Sequence, residues 1–79
     1  MKVTVCYFGK IQEVTDLSEE HWDIAESLTI DAFRAYLIEK YPALKNETYQ
    51  LAVNQELLDL NKTIPAMAEI AVLPPFSGG

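Results

Sequence analysis

The sequence finishes on Leu73-Pro74-Pro75-Phe76-Ser77-Gly78-Gly79, and the chemistry available there is that of a main-chain carboxylate. A carboxylate is a poor acyl donor until it is activated. Adenylation by ATP turns it into a mixed anhydride, which a sulfur nucleophile attacks to give an acyl disulfide or a thiocarboxylate. Gly78 and Gly79 suit such an end because they carry no side chain and accept any backbone angle, so a narrow channel can close around bare main chain. Pro74 and Pro75 favour an extended path without internal hydrogen bonds. Six residues at about 3.3 Å each reach about 20 Å, far enough to enter another protein's active site. Phe76 on such a tail has nothing local to pack on and points to a partner's pocket. Leu73, Pro74, Pro75, Phe76 and Ser77 are therefore the expected partner-binding residues, with Gly78 and Gly79 at the reacting end.

The other candidate residues offer less. Cys6 lies in an apolar run and reads as a buried packing residue, whereas a relay thiol needs exposure. His21 is the single histidine and has no serine or carboxylate at a motif spacing, so it reads as a strand-surface residue. One histidine and one cysteine fall short of a metal site. The carboxylates are scattered, with no acid/base pair among them. Glu47, Glu56, Asp59 and Glu69 are candidates for steering a basic partner. The absence of a glycine-rich phosphate loop implies that ATP is bound by an activating enzyme in trans and that no cofactor is held stably here.

These residues need a scaffold, and 79 residues supply one domain without room for a second. Twelve acidic against six basic residues give a net charge of −6, which repels a phosphate backbone and favours a protein partner with a basic face over nucleic acid. No apolar run is long enough to span a membrane, and the start lacks the pattern of a signal peptide. With a lone cysteine and no disulfide framework, the expected location is the cytoplasm.

Residues 3–8 are β-branched and aromatic on both faces and close on Gly9, which predicts a central strand. Residues 13–17 fit either a helical turn or a loop. Residues 21–26 alternate, with Trp22 and Ile24 on one face, and predict a second strand in a hairpin with the first. From Ile30 the period changes: Ile30, Phe33, Leu37 and Tyr41 form one stripe of an amphipathic helix. Thr29 is placed to cap that helix, Asp31 and Lys40 suit its two dipole ends, and Pro42 stops it. A third strand follows at 49–54, a turn at Asn54-Gln55-Glu56, a short strand at 57–60, and a last strand at 69–73. Trp22, Phe33 and Leu37 are expected in the core. Two strands, a helix and three more strands describe an α+β fold, with a ubiquitin-like β-grasp as the natural candidate: a mixed sheet, first and last strands parallel at its centre, and one main helix across one face. The expected organisation is a β-grasp domain over 1–73 and an extended tail over 74–79.

Residues 69–79, Glu69-Ile70-Ala71-Val72-Leu73-Pro74-Pro75-Phe76-Ser77-Gly78-Gly79, resemble the C-terminal motif of MoaD-type proteins, the small subunit of molybdopterin synthase. Ala52-Val53-Asn54-Gln55 is similar to that family's strand-and-turn signature, and the first strand ending in Phe8-Gly9 also agrees, so the resemblance spans the chain. It implies that an E1-like adenylyltransferase activates Gly79 and that a sulfur donor protein helps convert it to a thiocarboxylate. The tail would then enter the large subunit and give sulfur to a cyclic pterin precursor of the molybdenum cofactor. By the same resemblance the complex is a heterotetramer, in which this chain is the sulfur-donating, non-catalytic subunit of a sulfurtransferase.

One departure stands out. The family often places Gly-Asp before the last strand, where this sequence has Met67-Ala68. Methionine resists positive φ, so a different turn geometry is expected. Other readings of the same fold are a sulfur carrier for thiamine or tRNA thiolation, a ubiquitin-like modifier joined to lysine through Gly79, and a non-covalent interaction module with an incidental tail.

Overall fold

The computed structural model describes residues 1–75, so the expectations for Phe76, Ser77, Gly78 and Gly79 lie outside the described residues. Four strands form one sheet: β1 (Lys2–Tyr7), β2 (Glu19–Asp23), β3 (Gln50–Val53) and β4 (Glu69–Leu73), in the order β2-β1-β4-β3. β1 pairs antiparallel with β2 and parallel with β4, and β3 pairs antiparallel with β4. The first and last strands thus lie side by side at the sheet centre, as the two-faced apolar pattern of β1 predicts. Helix α1 (Lys10–Thr15) follows β1, and helix α2 (Ile30–Lys40) packs on the sheet. This is the expected α+β β-grasp architecture.

The core is one layer between α2 and the sheet. Val3, Val5 and Tyr7 of β1, Ile70 and Val72 of β4, and Leu51 and Val53 of β3 point inward with period two. Ile30, Phe33 and Leu37 of α2 meet them, with Ile11, Ile24, Leu44 and Ile64 closing the ends. Each such side chain stabilises the fold by about 1.5–3 kcal/mol on full burial. Trp22 is only half-buried and packs its ring on Phe33 at a centroid distance of 4.8 Å.

Thr29 caps α2 as expected: its Oγ1 accepts from Ala32 N at 3.1 Å. Asp31 occupies the first turn and Lys40 the last. Tyr41, placed before Pro42, turns to φ −128° and ends the helix, and Pro42 opens a 3₁₀ turn over Pro42–Asn46.

Three local expectations need correction. Residues 57–60 do not form a strand; the isolated bridge just before them joins Val53 to Glu56. The backbone of Leu60, with that of Lys62 just beyond, serves the helix instead, since Leu60 O accepts from Asp31 N and Lys62 O from Ile30 N, both at 3.0 Å. Two orphan donors of the first turn are satisfied in this way. The second strand covers Glu19–Asp23 and not 21–26, because its ladder with β1 brings in Glu19 and Glu20. Between these strands, α1 begins at Lys10 and ends at Asp16 with φ 62°, a left-handed stop that Asp tolerates. The undecided 13–17 segment is therefore the second half of a helix and its cap.

Met67 supplies the third correction. It adopts φ 57° despite its side chain, which is 88% exposed. The left-handed turn that glycine makes easily is thus kept by methionine at a conformational cost.

Candidate functional site

β4 leads directly into Pro74 and Pro75. It is an interior strand, flanked by β1 and β3, so its end is held from both sides. The parallel ladder with β1 is bounded by Thr4 N donating to Ala68 O at 3.0 Å and Phe8 N donating to Val72 O at 3.2 Å. On the other side Gln50 lies opposite Leu73. Leu73 and Pro74 are half-buried and Pro75 is exposed, so the chain passes from packed sheet to solvent over these three residues.

Gly9 stands beside that exit. A Cβ built on Gly9 would lie 3.1 Å from Pro74 Cγ, closer than an ordinary contact. Its backbone, at φ 55° and ψ −133°, is in a region that side-chain-bearing residues scarcely enter. The Phe8-Gly9 step therefore ends β1, starts α1 and leaves room for Pro74.

Asn54 ties the other flank. Its N–H donates to Glu69 O at 2.8 Å, and its Oδ1 accepts from Glu69 N at 2.9 Å. Asn54 and Gln55 have φ 50° and 70°, the paired positive values that a tight hairpin turn demands. The Ala-Val-Asn-Gln segment thus fastens the start of the strand whose end carries the tail.

A polar cluster joins β1, β2 and α2 beneath this frame. The Tyr7 and Tyr41 hydroxyls both donate to Glu20 Oε2, and Lys40 Nζ pairs with Oε1 at 2.9 Å. Burial alone would raise the Glu20 carboxyl, but the hydrogen bonds from Tyr41, Tyr7 and Lys40 outweigh it and hold the group at about 2. The Trp22 indole N–H adds to that lowering by proximity, yet it misses the geometry of a formed bond and stays buried without a partner. Burial, together with the bond to Glu20 and its charge, pushes the Tyr41 hydroxyl up to about 12 and raises that of Tyr7 as well. Sequence reading placed Tyr41 in the apolar stripe and began the strand after Glu20, so this cluster was not foreseen. The one available signal was that Glu20 falls on the inward phase shared by Trp22 and Ile24.

Cys6 is half-buried on the helix-free face of the sheet rather than in the core, which corrects its expected position. Partial burial and the nearby Glu69 and Glu19 carboxylates raise its thiol, so little thiolate is present at neutral pH. His21 is exposed, with Nδ1 3.3 Å from Thr4 Oγ1. Of the candidate steering carboxylates, Glu47 is drawn toward Lys10 at 3.5 Å, while Glu56, Asp59 and Glu69 are exposed. Among the described residues, no three His, Cys, Asp or Glu side chains gather where a metal could bind, and no helix is long and apolar enough to cross a membrane.

A family model described as the ThiS family matches residues 5–79. A relative from Caenorhabditis elegans, the molybdopterin synthase sulfur carrier subunit, is 32% identical over 100% of this chain and 99% of its own. A solved complex of subunits 1 and 2 of the molybdopterin-converting factor from Helicobacter pylori contains a chain similar to this one at 28% identity, with TM-score 0.71 and 100% of both chains covered. The small archaeal modifier protein 1 of Haloferax volcanii has TM-score 0.81 over 94% of this chain and 97% of its own, at 20% identity, which is a likeness of fold.

Proposed function

The chain belongs to the ThiS family, and we propose that it is the sulfur carrier of molybdopterin synthesis, with the Gly79 carboxylate as its working group. The observation that carries this reading is its end-to-end similarity to molybdopterin synthase sulfur carrier subunits of other organisms. The geometry is consistent with it: an interior strand held on both sides leads through Leu73, Pro74 and Pro75 toward Gly78 and Gly79.

An activating adenylyltransferase supplies ATP and forms the Gly79 acyl adenylate with release of pyrophosphate. Sulfide, or the terminal sulfur of a donor protein's persulfide, attacks the acyl carbon and expels AMP. With sulfide the product is the thiocarboxylate directly. With a persulfide it is an acyl disulfide, which a thiol reduces to the thiocarboxylate while being oxidised to a disulfide. The tail then enters the large subunit, where the thiocarboxylate sulfur bonds to a carbon of the pterin precursor and displaces an oxygen substituent. Water cleaves the acyl C–S bond of the resulting thioester, which leaves the sulfur on the pterin and returns the Gly79 carboxylate. This chain contributes reach, a narrow main-chain end and a fixed exit; binding of ATP and of the pterin belongs to its partners. A heterotetramer of two carriers and two large subunits places one tail at each of two sites.

Carriers for thiamine or tRNA thiolation would use the same tail chemistry, but the relatives' names favour the molybdopterin role. The test is reconstitution. The thiocarboxylated chain, mixed with a molybdopterin synthase large subunit and cyclic pterin precursor, is expected to yield molybdopterin, and the chain lacking Gly79 is expected to yield none. Failure of the loaded chain with a large subunit shown to be active with its own carrier would overturn the assignment.

A further inference from the structure

β2 lies at a sheet edge. Its ladder with β1 is framed by Tyr7 N donating to Ser18 O and Ile24 N donating to Met1 O, which turns the backbone of Glu20 and Trp22 toward β1. Alternation along an antiparallel strand then points the N–H and C=O groups of Glu19, His21 and Asp23 outward, where no strand among the described residues pairs with them. Three consecutive outward positions of this kind form a template for an added strand.

Beside the edge, between it and α2, runs a groove of about 490 Å³ lined by residues that include Trp22, Ile24, Leu28, Tyr36, Glu39 and Lys40. Ile24 is buried in its floor, and Tyr36 is 55% exposed at its rim. Trp22 is half-buried there, with its indole N–H buried and unpartnered. An apolar wall next to open backbone groups is the arrangement by which a sheet edge takes up an extended peptide: the main chain supplies the hydrogen bonds and one side chain fills the pocket.

The charge around the groove selects the occupant. Asp23 and Glu39 are exposed along it, and Glu19 is exposed farther along the same edge strand, on the opposite face of the sheet. Lys40, the cation lining it, is committed to Glu20 at 2.9 Å, and among the described residues the one ion pair made by these three carboxylates is that of Asp23 with the Met1 amino group at 3.0 Å. Such an edge repels a second copy of itself and attracts a strand bearing lysine or arginine. We propose that the β2 edge and its groove bind an extended, basic segment of a partner protein, which adds a strand at Glu19, His21 and Asp23 and seats an apolar side chain between Trp22 and Tyr36. The surface shares no residue with the C-terminal tail and stands independently of the sulfur-carrier reading.

The probe is a short synthetic peptide alternating valine with lysine, titrated into the full chain. Trp22, the single tryptophan, reports binding by fluorescence, and amide hydrogen exchange maps it. The expected result is a shift of Trp22 emission with protection of the Glu19, His21 and Asp23 amides. His21→Pro removes one outward donor without touching the ladder to β1 and should weaken binding about tenfold. Tyr36→Ala, at an exposed helix position, tests the groove independently should the proline variant not fold. It too should weaken binding, and a glutamate-for-lysine peptide should not bind. Protection confined to other amides would overturn the proposal, as would equal binding of the glutamate peptide. Concentration-dependent protection of the same amides without peptide would also overturn it, by making a second copy of the chain the occupant.

Discussion

Gly9 and Pro74 stand so close that a single methyl group on Gly9 would lie 3.1 Å from the proline ring. The end of the first strand and the start of the tail therefore share one small space. This contact links a residue near the N-terminus to the point where Leu73 and Pro74 leave the sheet.

Gly9→Ala should accordingly act twice. The backbone at φ 55° and ψ −133° disfavours alanine by about 1–3 kcal/mol, and the added methyl pushes Pro74 away. A lower urea midpoint, accompanied by shifted Leu73 and Val72 amide resonances, is the predicted outcome. An unchanged midpoint and unchanged resonances would show that the exit does not depend on this contact.

Met67→Gly should stabilise the protein. Methionine at φ 57° carries the steric penalty of the left-handed region, and its side chain is 88% exposed, so little packing is lost on removing it. After the extra unfolded-state entropy of glycine is deducted, a net gain of about 1 kcal/mol remains. Thermal unfolding of the two proteins side by side measures it.

Glu20 should dominate the acid limb of stability. Its carboxyl ordinarily titrates at 4.5 and is held at about 2 in the fold, so the native state binds fewer protons than the unfolded chain between those values. The stabilisation, on the order of 3 kcal/mol at one pKa unit per 1.36 kcal/mol, is fully present above about pH 5 and is lost as pH falls toward 2. Urea titrations at descending pH should show this slope, and Glu20→Gln should flatten it. Glu20→Ala strands the Tyr7 and Tyr41 hydroxyls and should destabilise at neutral pH by about 1–3 kcal/mol for each group left buried and unpaired.

The long-range plan was legible because it rests on strong local patterns. The apolar run around Val5 and Tyr7, the change of period at Ile30 and the stop at Pro42 each have one structural reading. The strand expected at 57–60 failed because Leu57 and Leu60 are apolar but exposed, and the Leu60 carbonyl is recruited by the first turn of α2. Local composition carries no record of such a debt. Met67 shows the reverse case, where the fold imposes a backbone angle that the residue type argues against. For the site, Leu73, Pro74 and Pro75 lie where the strand-then-proline pattern puts them. The close neighbour of Pro74 was invisible, since Gly9 meets it only through the parallel pairing of β1 with β4.

The carrier mechanism turns on one bond at Gly79, and intact-protein mass spectrometry reads it most directly. The chain is incubated with ATP, sulfide and an activating adenylyltransferase already shown to load its own carrier. The account predicts a mass increase equal to the difference between sulfur and oxygen, confined to the C-terminal peptide and absent when Gly79 is deleted. An unchanged mass under those conditions, or a gain that survives the deletion, would contradict it.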